Sequence, residues 1–427
     1  MTHTNLGYAG RVIAHRDATP DRHGRKLRPG RKPRRSRTHR HGAVVAALGG
    51  LLAVTLAGCS FGNPPPDQQG EPPNLPAPSL APGMSLGPDG DGSDADVEVL
   101  AIGVPQPWAI AFLPDGSGLV TERKTGDIIE IDKSPSASGP AEPTTVGHVS
   151  GIDASGDGGL LGIAVSPKYK TDGTVYVYYT TKTDNRIASM KLGDHQGVPK
   201  VILKGIPRGA TDNGGALVFG PDGDLYAATG DAGNAKGGVK APSQEVTSLA
   251  GKILRMTPAG KPVGGASLVY ARGLHDVEGL AFDGNKHLYA IDASKSADNL
   301  LLVTKNADFG WPAIGGDVAP QDRPQPIQTF PLSESTCAGI AVIANAVATA
   351  CPTGKRVWIS QVTARGGTLG APTSTLEDSY GRLRAIAAAS DGSFWVGTSN
   401  TDGHGKPSDE DDQILRVIVA DTGVGIT

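Results

Sequence analysis

Three cysteines in 427 residues exclude a disulfide-dense scaffold, and none has a histidine or second cysteine nearby at zinc-ligand spacing. Aromatic residues make up 5% of the chain, so large rings cannot be the main material of its interior. No segment sustains a 3.6-residue apolar period over a helix's length, because 60 glycines and 33 prolines interrupt every candidate. That excludes a helical bundle. The Gly-x-Ser-x-Gly, His-Glu-x-x-His and phosphate-loop signatures are missing, and Gly156-Asp157-Gly158 does not complete a dinucleotide fingerprint. The apolar stretch from Ala43 to Ala57 is too short to span a membrane comfortably.

What stands at the N-terminus is a processing signal. A basic run (Arg31, Lys32, Arg34, Arg35, Arg37, Arg40) precedes that apolar stretch, which ends in Leu56-Ala57-Gly58-Cys59. Charged region, apolar core and small residues together predict a signal peptide over residues 1–58. Leu-Ala-Gly-Cys resembles a bacterial lipobox, which implies cleavage before Cys59 and acylation of its sulfur with a fatty acid such as palmitate. The expected location is extracytoplasmic, tethered to the cell membrane through that lipid. The basic run lies in the part removed, so the formal charge of −3 understates how acidic the mature chain is, and no nucleic-acid partner is expected. Residues 59–96 are rich in Pro, Gly and Asp and read as a disordered tether stiffened by Pro64-Pro65-Pro66. Asp89, Asp91, Asp94 and Asp96 mimic a calcium loop, but its twelfth position is Leu100 where an EF-hand needs Glu. Once Cys59 is set aside, the even count in an exported chain predicts a disulfide between Cys337 and Cys351.

Residues 97–427 repeat. Six short strands share a small–aliphatic–small–apolar pattern: Ala109 to Phe112, Gly162 to Val165, Ala216 to Phe219, Gly279 to Phe282, Gly339 to Val342 and Ala385 to Ala388. Several are followed by an Asp-Gly turn and a second strand, as at Asp115-Gly116, Asp222-Gly223, Asp283-Gly284 and Asp391-Gly392. A third strand often follows, as in Ile128 to Ile131, Ile253 to Met256 and Ile414 to Val417. Repeated units of hairpin strands predict an all-β, six-bladed β-propeller, with the small-residue strands lining the crowded centre.

Propeller ligands sit over the channel, in the loops beside the innermost strands. Here those loops carry Asp157, Asp212, Asp231, Asp276 and Glu278, with His275 beside them, and the five acids would make an acidic cup suited to calcium, a polyol or a cation. Each acid also has a plain role, since Asp beside Gly often only caps a turn. Arg382 and Arg384 alternate along a strand and so are expected to face one side. The run Asp409-Glu410-Asp411-Asp412 reads as a solvated loop of the last blade.

Several segments, in order along the chain, resemble the glucose/sorbosone dehydrogenase family: Pro107 to Phe112, Gly158 to Gly162, Phe219 to Gly223, Gly251 to Arg255, Gly279 to Phe282, Phe309 to Pro312 and Gly381 to Arg384. The resemblance implies a propeller holding pyrroloquinoline quinone (PQQ) with calcium. It also implies a His that takes the proton of a sugar's anomeric hydroxyl while hydride passes to the quinone. Carried over residue by residue, the catalytic His falls on Asp212 and the Arg closing that motif on Ala216. The Arg-Asn-Pro-Gln loop falls on His275 to Glu278, a Gln on Asp157, the calcium-binding Gly-Pro near Ala293 to Lys295, and a cofactor Lys near Thr363. Asp231 and the Arg382/Arg384 pair are retained, the latter as cofactor-binding residues. The candidate catalytic set is therefore Asp212, Asp231, His275 and Asp157. Losing cations and gaining acids works against a tricarboxylate cofactor, and an ordinary carboxylate is a poor base near neutrality. His275 is the replacement base if it reaches the sugar.

Three functions follow as expectations. The first is a quinoprotein oxidoreductase of sugars with an altered, degenerate site. The second is a non-catalytic propeller binding a carbohydrate, envelope polymer or protein partner. The third is a calcium-dependent, lactonase-like hydrolase. The sequence itself names no protein partner.

Overall fold

The computed structural model describes residues 95–133, 139–192, 198–234, 236, 238–314 and 322–419. The expected signal peptide, Cys59 and nearly all of the expected tether lie outside them. Six four-stranded antiparallel sheets are arranged in sequence order, which is the expected six-bladed propeller. The innermost strands of blades 1 to 6 are Pro107–Phe112, Leu160–Val165, Gly214–Phe219, Asp276–Phe282, Gly339–Ile343 and Leu383–Ala388. Each contains one of the six repeated segments, and each packs on its neighbours around the channel. Their small residues are required by that crowding. A Cβ on Gly162 would lie 2.1 Å from the Gly215 carbonyl oxygen of the next blade. Apolar side chains fill the spaces between blades; Tyr226 and Ile253 of blade 3, for example, pack in one cluster with Val277, Leu280 and Leu301 of blade 4.

The turns follow the sequence with one exception. Gly116, Gly223 and Gly392 have φ of 96°, 78° and 85°, as the Asp-Gly pairs predict. In the Asp283-Gly284 turn the positive angle falls on Lys286 instead, at φ 70°. That loop is the same length as the other three, but its Asp-Gly pair stands two positions earlier, so Lys286 takes the place of Gly116, Gly223 and Gly392; Asp283 Oδ1 accepts the backbone N–H of His287, and Lys286 N–H bonds the Asp283 carbonyl. The Cys337–Cys351 disulfide is present and ties the two ends of the first hairpin of blade 5.

The ring closes through the N-terminus. Ala95–Ile102 pairs antiparallel with Gln413–Val419 and is the outer strand of blade 6, so strand begins two residues before the sequence boundary at Val97. Closure also corrects the reading of the acidic run. Asp409 and Glu410 are exposed as expected, but Asp412 is fully buried and is the hub of the junction. Its Oδ2 accepts the backbone N–H of Gln106 at 3.0 Å and the Thr401 hydroxyl at 2.5 Å. Its Oδ1 accepts the N–H groups of Asn400 and Thr401, at 2.5 and 3.3 Å. A charge run hid this role because a carboxylate that organises backbone donors looks, in sequence, like one that faces water.

Candidate functional site

The inner strands all run from the same mouth of the channel. Residues at their starts line a polar cavity of about 550 Å³, and residues further along them line an apolar one of about 350 Å³. The polar cavity, the cup, has seven charged residues in its wall besides histidine: Arg123, Arg382 and Arg384 against Asp157, Asp276, Glu278 and Asp402. Arg384 pairs with Glu278 at 2.7 Å, linking blades 6 and 4, and its guanidinium lies 5.6 Å from the centre of the Trp108 ring. Arg382 pairs with Asp402 at 2.8 Å. Both arginines expected at the cup are there, each matched by an acid. Arg123 gives Nη1 to the carbonyls of Gly156 and Gly158, and lies 3.3 Å from Gln106 Oε1. Asp157, exposed at the rim, has no side-chain partner among the described residues. Asp276 Oδ1 accepts the Gly214 N–H at 2.7 Å. Burial, with the charges of Glu278 and Asp212, pushes the Asp276 carboxyl well above the usual range. Burial also raises Glu278, against the opposing pull of Arg384.

Asp212, Asp231 and His275 form a second cluster, with one ligand-type atom from each lying within 4.8 Å of the others. Two tight loops bring them together. Asp212 adopts φ 59°, a left-handed angle that Asp tolerates, and its carbonyl lies where a Cβ on Gly230 would be, 1.9 Å away. Only glycine fits at that position. Asp231 is fully buried and fully engaged: Oδ1 accepts the N–H groups of Gly233 and Asn234, and Oδ2 accepts the Trp311 indole N–H at 2.6 Å. The His275 ring packs on Trp311 with centroids 4.1 Å apart. Its Nδ1 donates to the Ala293 carbonyl at 2.5 Å, and its Nε2 lies 3.5 Å from Asp212 Oδ2. That distance is ion-pair rather than hydrogen-bond geometry. A lone pair on Nε2 would face a carboxylate there, so the protonated ring is favoured. Although burial lowers the His275 pKa, Asp212, Asp292 and the Ala293 carbonyl raise it to about 9. Asp212 is partly buried, which raises its pKa, yet His275 brings it below the usual range. The two expected bases are thus partners of each other.

Sequence reasoning missed Arg123, Trp108, Trp311, Asp292 and Asp402. Asp292 is buried and accepts the backbone N–H groups of His275 and Asp276, and burial raises its pKa to about 6. Trp108 and Trp311 stand in the family-like segments Pro107 to Phe112 and Phe309 to Pro312, but their lining and clamping roles arise only between blades. Thr363 lies exposed in a hairpin turn and is not in the cup wall. Lys295 places its ammonium 5.5 Å from the centre of the Trp311 ring.

The family model for glucose/sorbosone dehydrogenases matches residues 104–415. A solved PQQ-bound aldose sugar dehydrogenase from Streptomyces coelicolor is 37% identical, with TM-score 0.70, over 76% of this chain and 98% of that one. A putative oxidoreductase (glucose dehydrogenase) from Thermus thermophilus is 30% identical, with TM-score 0.68, over 76% of this chain and 100% of that one. Quinoprotein glucose dehydrogenase B of Acinetobacter calcoaceticus is 30% identical over 52% of this chain, and the chain spans about half of that protein (53%). No described helix is long and apolar enough to cross a membrane. With a family match running from the entry of blade 1 to the last strand of blade 6, the chain belongs to the glucose/sorbosone dehydrogenase family.

Proposed function

We propose that this chain is a sugar-dehydrogenase-like propeller whose cup binds a sugar or polyol at a site rebuilt away from proton abstraction. One observation carries the reading: both ring nitrogens of His275 are committed, Nδ1 to the Ala293 carbonyl and Nε2 to Asp212. An imidazolium has no lone pair to accept a hydroxyl proton, and a carboxylate held below its usual range is a weak base. Asp212 and His275 therefore act as an ion pair that shapes the wall beside the cup.

The residues present do not fit the family's cofactor. PQQ carries three carboxylates, whereas two of the cup's three arginines, Arg382 and Arg384, are already paired with Asp402 and Glu278, and Asp157 stands in the same wall. The Lys295 ammonium stands in the segment where the family's calcium carbonyls would lie, and like charge opposes a divalent ion there. A second reading, a working quinoprotein oxidoreductase, is favoured by the similarity to the PQQ-bound Streptomyces enzyme and by Asp231, Arg382 and Arg384. Calorimetric titration of the purified full chain separates the two. D-glucose should bind in the millimolar range, while PQQ with calcium gives no saturation up to about 100 μM, where a specific cofactor of micromolar or tighter affinity would be bound. One-to-one PQQ binding that weakens in Arg382→Ala and Arg384→Ala would establish the second reading instead.

The envelope location rests on the Leu56-Ala57-Gly58-Cys59 motif. Palmitate labelling of the membrane fraction is expected for the native chain and lost in Cys59→Ala; labelling that persists in the variant removes the anchor.

A further inference from the structure

The end of the propeller opposite the cup is basic over one sector. The inner strands run away from the cup, so the turns that follow them lie at that end, and so do the ends of the third strands, which run the same way. Lys170 and Lys286 stand in two such turns, in blades 2 and 4, while Lys191, Lys261 and Lys305 stand at or just past the ends of the third strands of blades 2, 3 and 4. All five are exposed. None is ion-paired among the described residues, where the lysine that is paired is Lys355, with Asp378, at the cup end. The acids of the same sector are engaged elsewhere: Asp222 and Asp224 with Arg255, Asp283 with His287, and Asp172 with the Ser166 hydroxyl and the Thr174 N–H. The sector therefore keeps a positive excess.

Two independent features point to what this end meets. Gln413–Val419 runs away from the cup and Ala95–Ile102 pairs antiparallel with it, so the chain coming from Cys59 enters the propeller at the basic end. The apolar cavity lies at the same end, with Phe112, Phe219 and Phe282 half-buried where their inner strands finish; the ionisable residue in its wall is Glu278, at the cup side. The cup end differs in character, for Asp157, Asp409 and Glu410 are exposed there.

We propose that the propeller sits with the lysines of blades 2 to 4 against an anionic lipid surface, so that the cup opens away from the membrane. This rests on the anchor proposed at Cys59 and adds which face meets the lipid. An anchor on its own keeps the domain near the bilayer without choosing a face. Each lysine brought close to an anionic surface favours contact roughly five-fold, an attraction that salt screens, whereas the exposed acids of the cup end are repelled.

The test takes the lipidated chain purified from membranes and returns it to vesicles, with one fluorophore on Asn285→Cys, beside Lys286, or on Ala210→Cys, exposed at the cup end. Cys337 and Cys351 are joined and Cys59 is acylated, so the introduced thiol takes the label. The vesicles contain phosphatidylglycerol and a phosphatidylcholine carrying a nitroxide quencher on its headgroup. Quenching at Asn285 is expected to exceed that at Ala210 by about two-fold or more. The difference should vanish in phosphatidylcholine alone, at high salt, and in the combined Lys170→Gln, Lys261→Gln, Lys286→Gln, Lys305→Gln variant, whose changes all fall on exposed side chains. Equal quenching of the two labels on anionic vesicles, stronger quenching at Ala210, or a difference that the lysine variant keeps overturns the inference and leaves the anchor standing. Lysine-dependent binding of soluble polyglutamate, with both labels equally quenched on vesicles, overturns it in favour of an acidic polymer. A chain that stays with neither kind of vesicle removes the anchor as well.

Discussion

Asp412→Ala should cost the propeller roughly 4 kcal/mol, because it leaves buried backbone donors unpaired at the point where the ring is fastened. The N–H groups of Gln106, Asn400 and Thr401 all end on this one carboxylate. Gln106 lies on the segment leading into blade 1, whereas Asn400 and Thr401 belong to blade 6, so the side chain bridges the first and last parts of the ring. Each orphaned donor costs ~1–3 kcal/mol, and donors sharing one acceptor do not add fully. For a domain of this size the loss corresponds to a melting temperature lower by about 6 °C. Asp412→Asn keeps one oxygen but presents an amide to donors, and should lose about half as much. Thermal and urea melts of the two variants check the ranking. A loss below about 1 kcal/mol for Asp412→Ala would mean that the pairing of Ala95–Ile102 with Gln413–Val419 closes the ring unaided.

The second large effect is a pH dependence centred on His275. Its pKa is raised from an ordinary 6.5 to about 9 in the folded chain, so folding takes up a proton between those values. The stabilisation is fully present below pH 6.5, declines as pH rises, and is gone once pH has passed about 9. The shift corresponds to roughly 3 kcal/mol. Asp276, also raised, contributes with the same sign as it loses its proton, so the test is the difference between two curves. Native protein should lose stability across this window, and His275→Gln should lose much less. Parallel curves would mean that the imidazole is neutral in the fold and free to act as a base.

These effects mark where sequence reading works and where it stops. The propeller was legible because each blade repeats a steric demand. Gly162 and its equivalents must be small where six strands crowd one axis, and a demand made six times leaves a visible period. Retained and replaced family positions were legible too, Asp212 and His275 among them. Their relation to one another was not, since nothing along the chain shows that His275 faces Asp212 rather than a ligand. Asp412 and Arg123 were hidden for the same reason: each owes its role to partners from other parts of the ring, including Gln106 for both. Local pattern reports what a strand requires of itself, while a site built between blades depends on pairings that only the closed ring makes.

The most direct measurement is the protonation state of His275 at pH 7.5, read from the nitrogen-15 shifts of its imidazole, with His275→Gln identifying the signal. Two protonated nitrogens, changing only as pH approaches 9, are predicted by an Asp212–His275 ion pair in place of a base. An unprotonated Nε2 at pH 7.5 would contradict that pair, restore His275 as an available base and return the chain to the working dehydrogenases of its family.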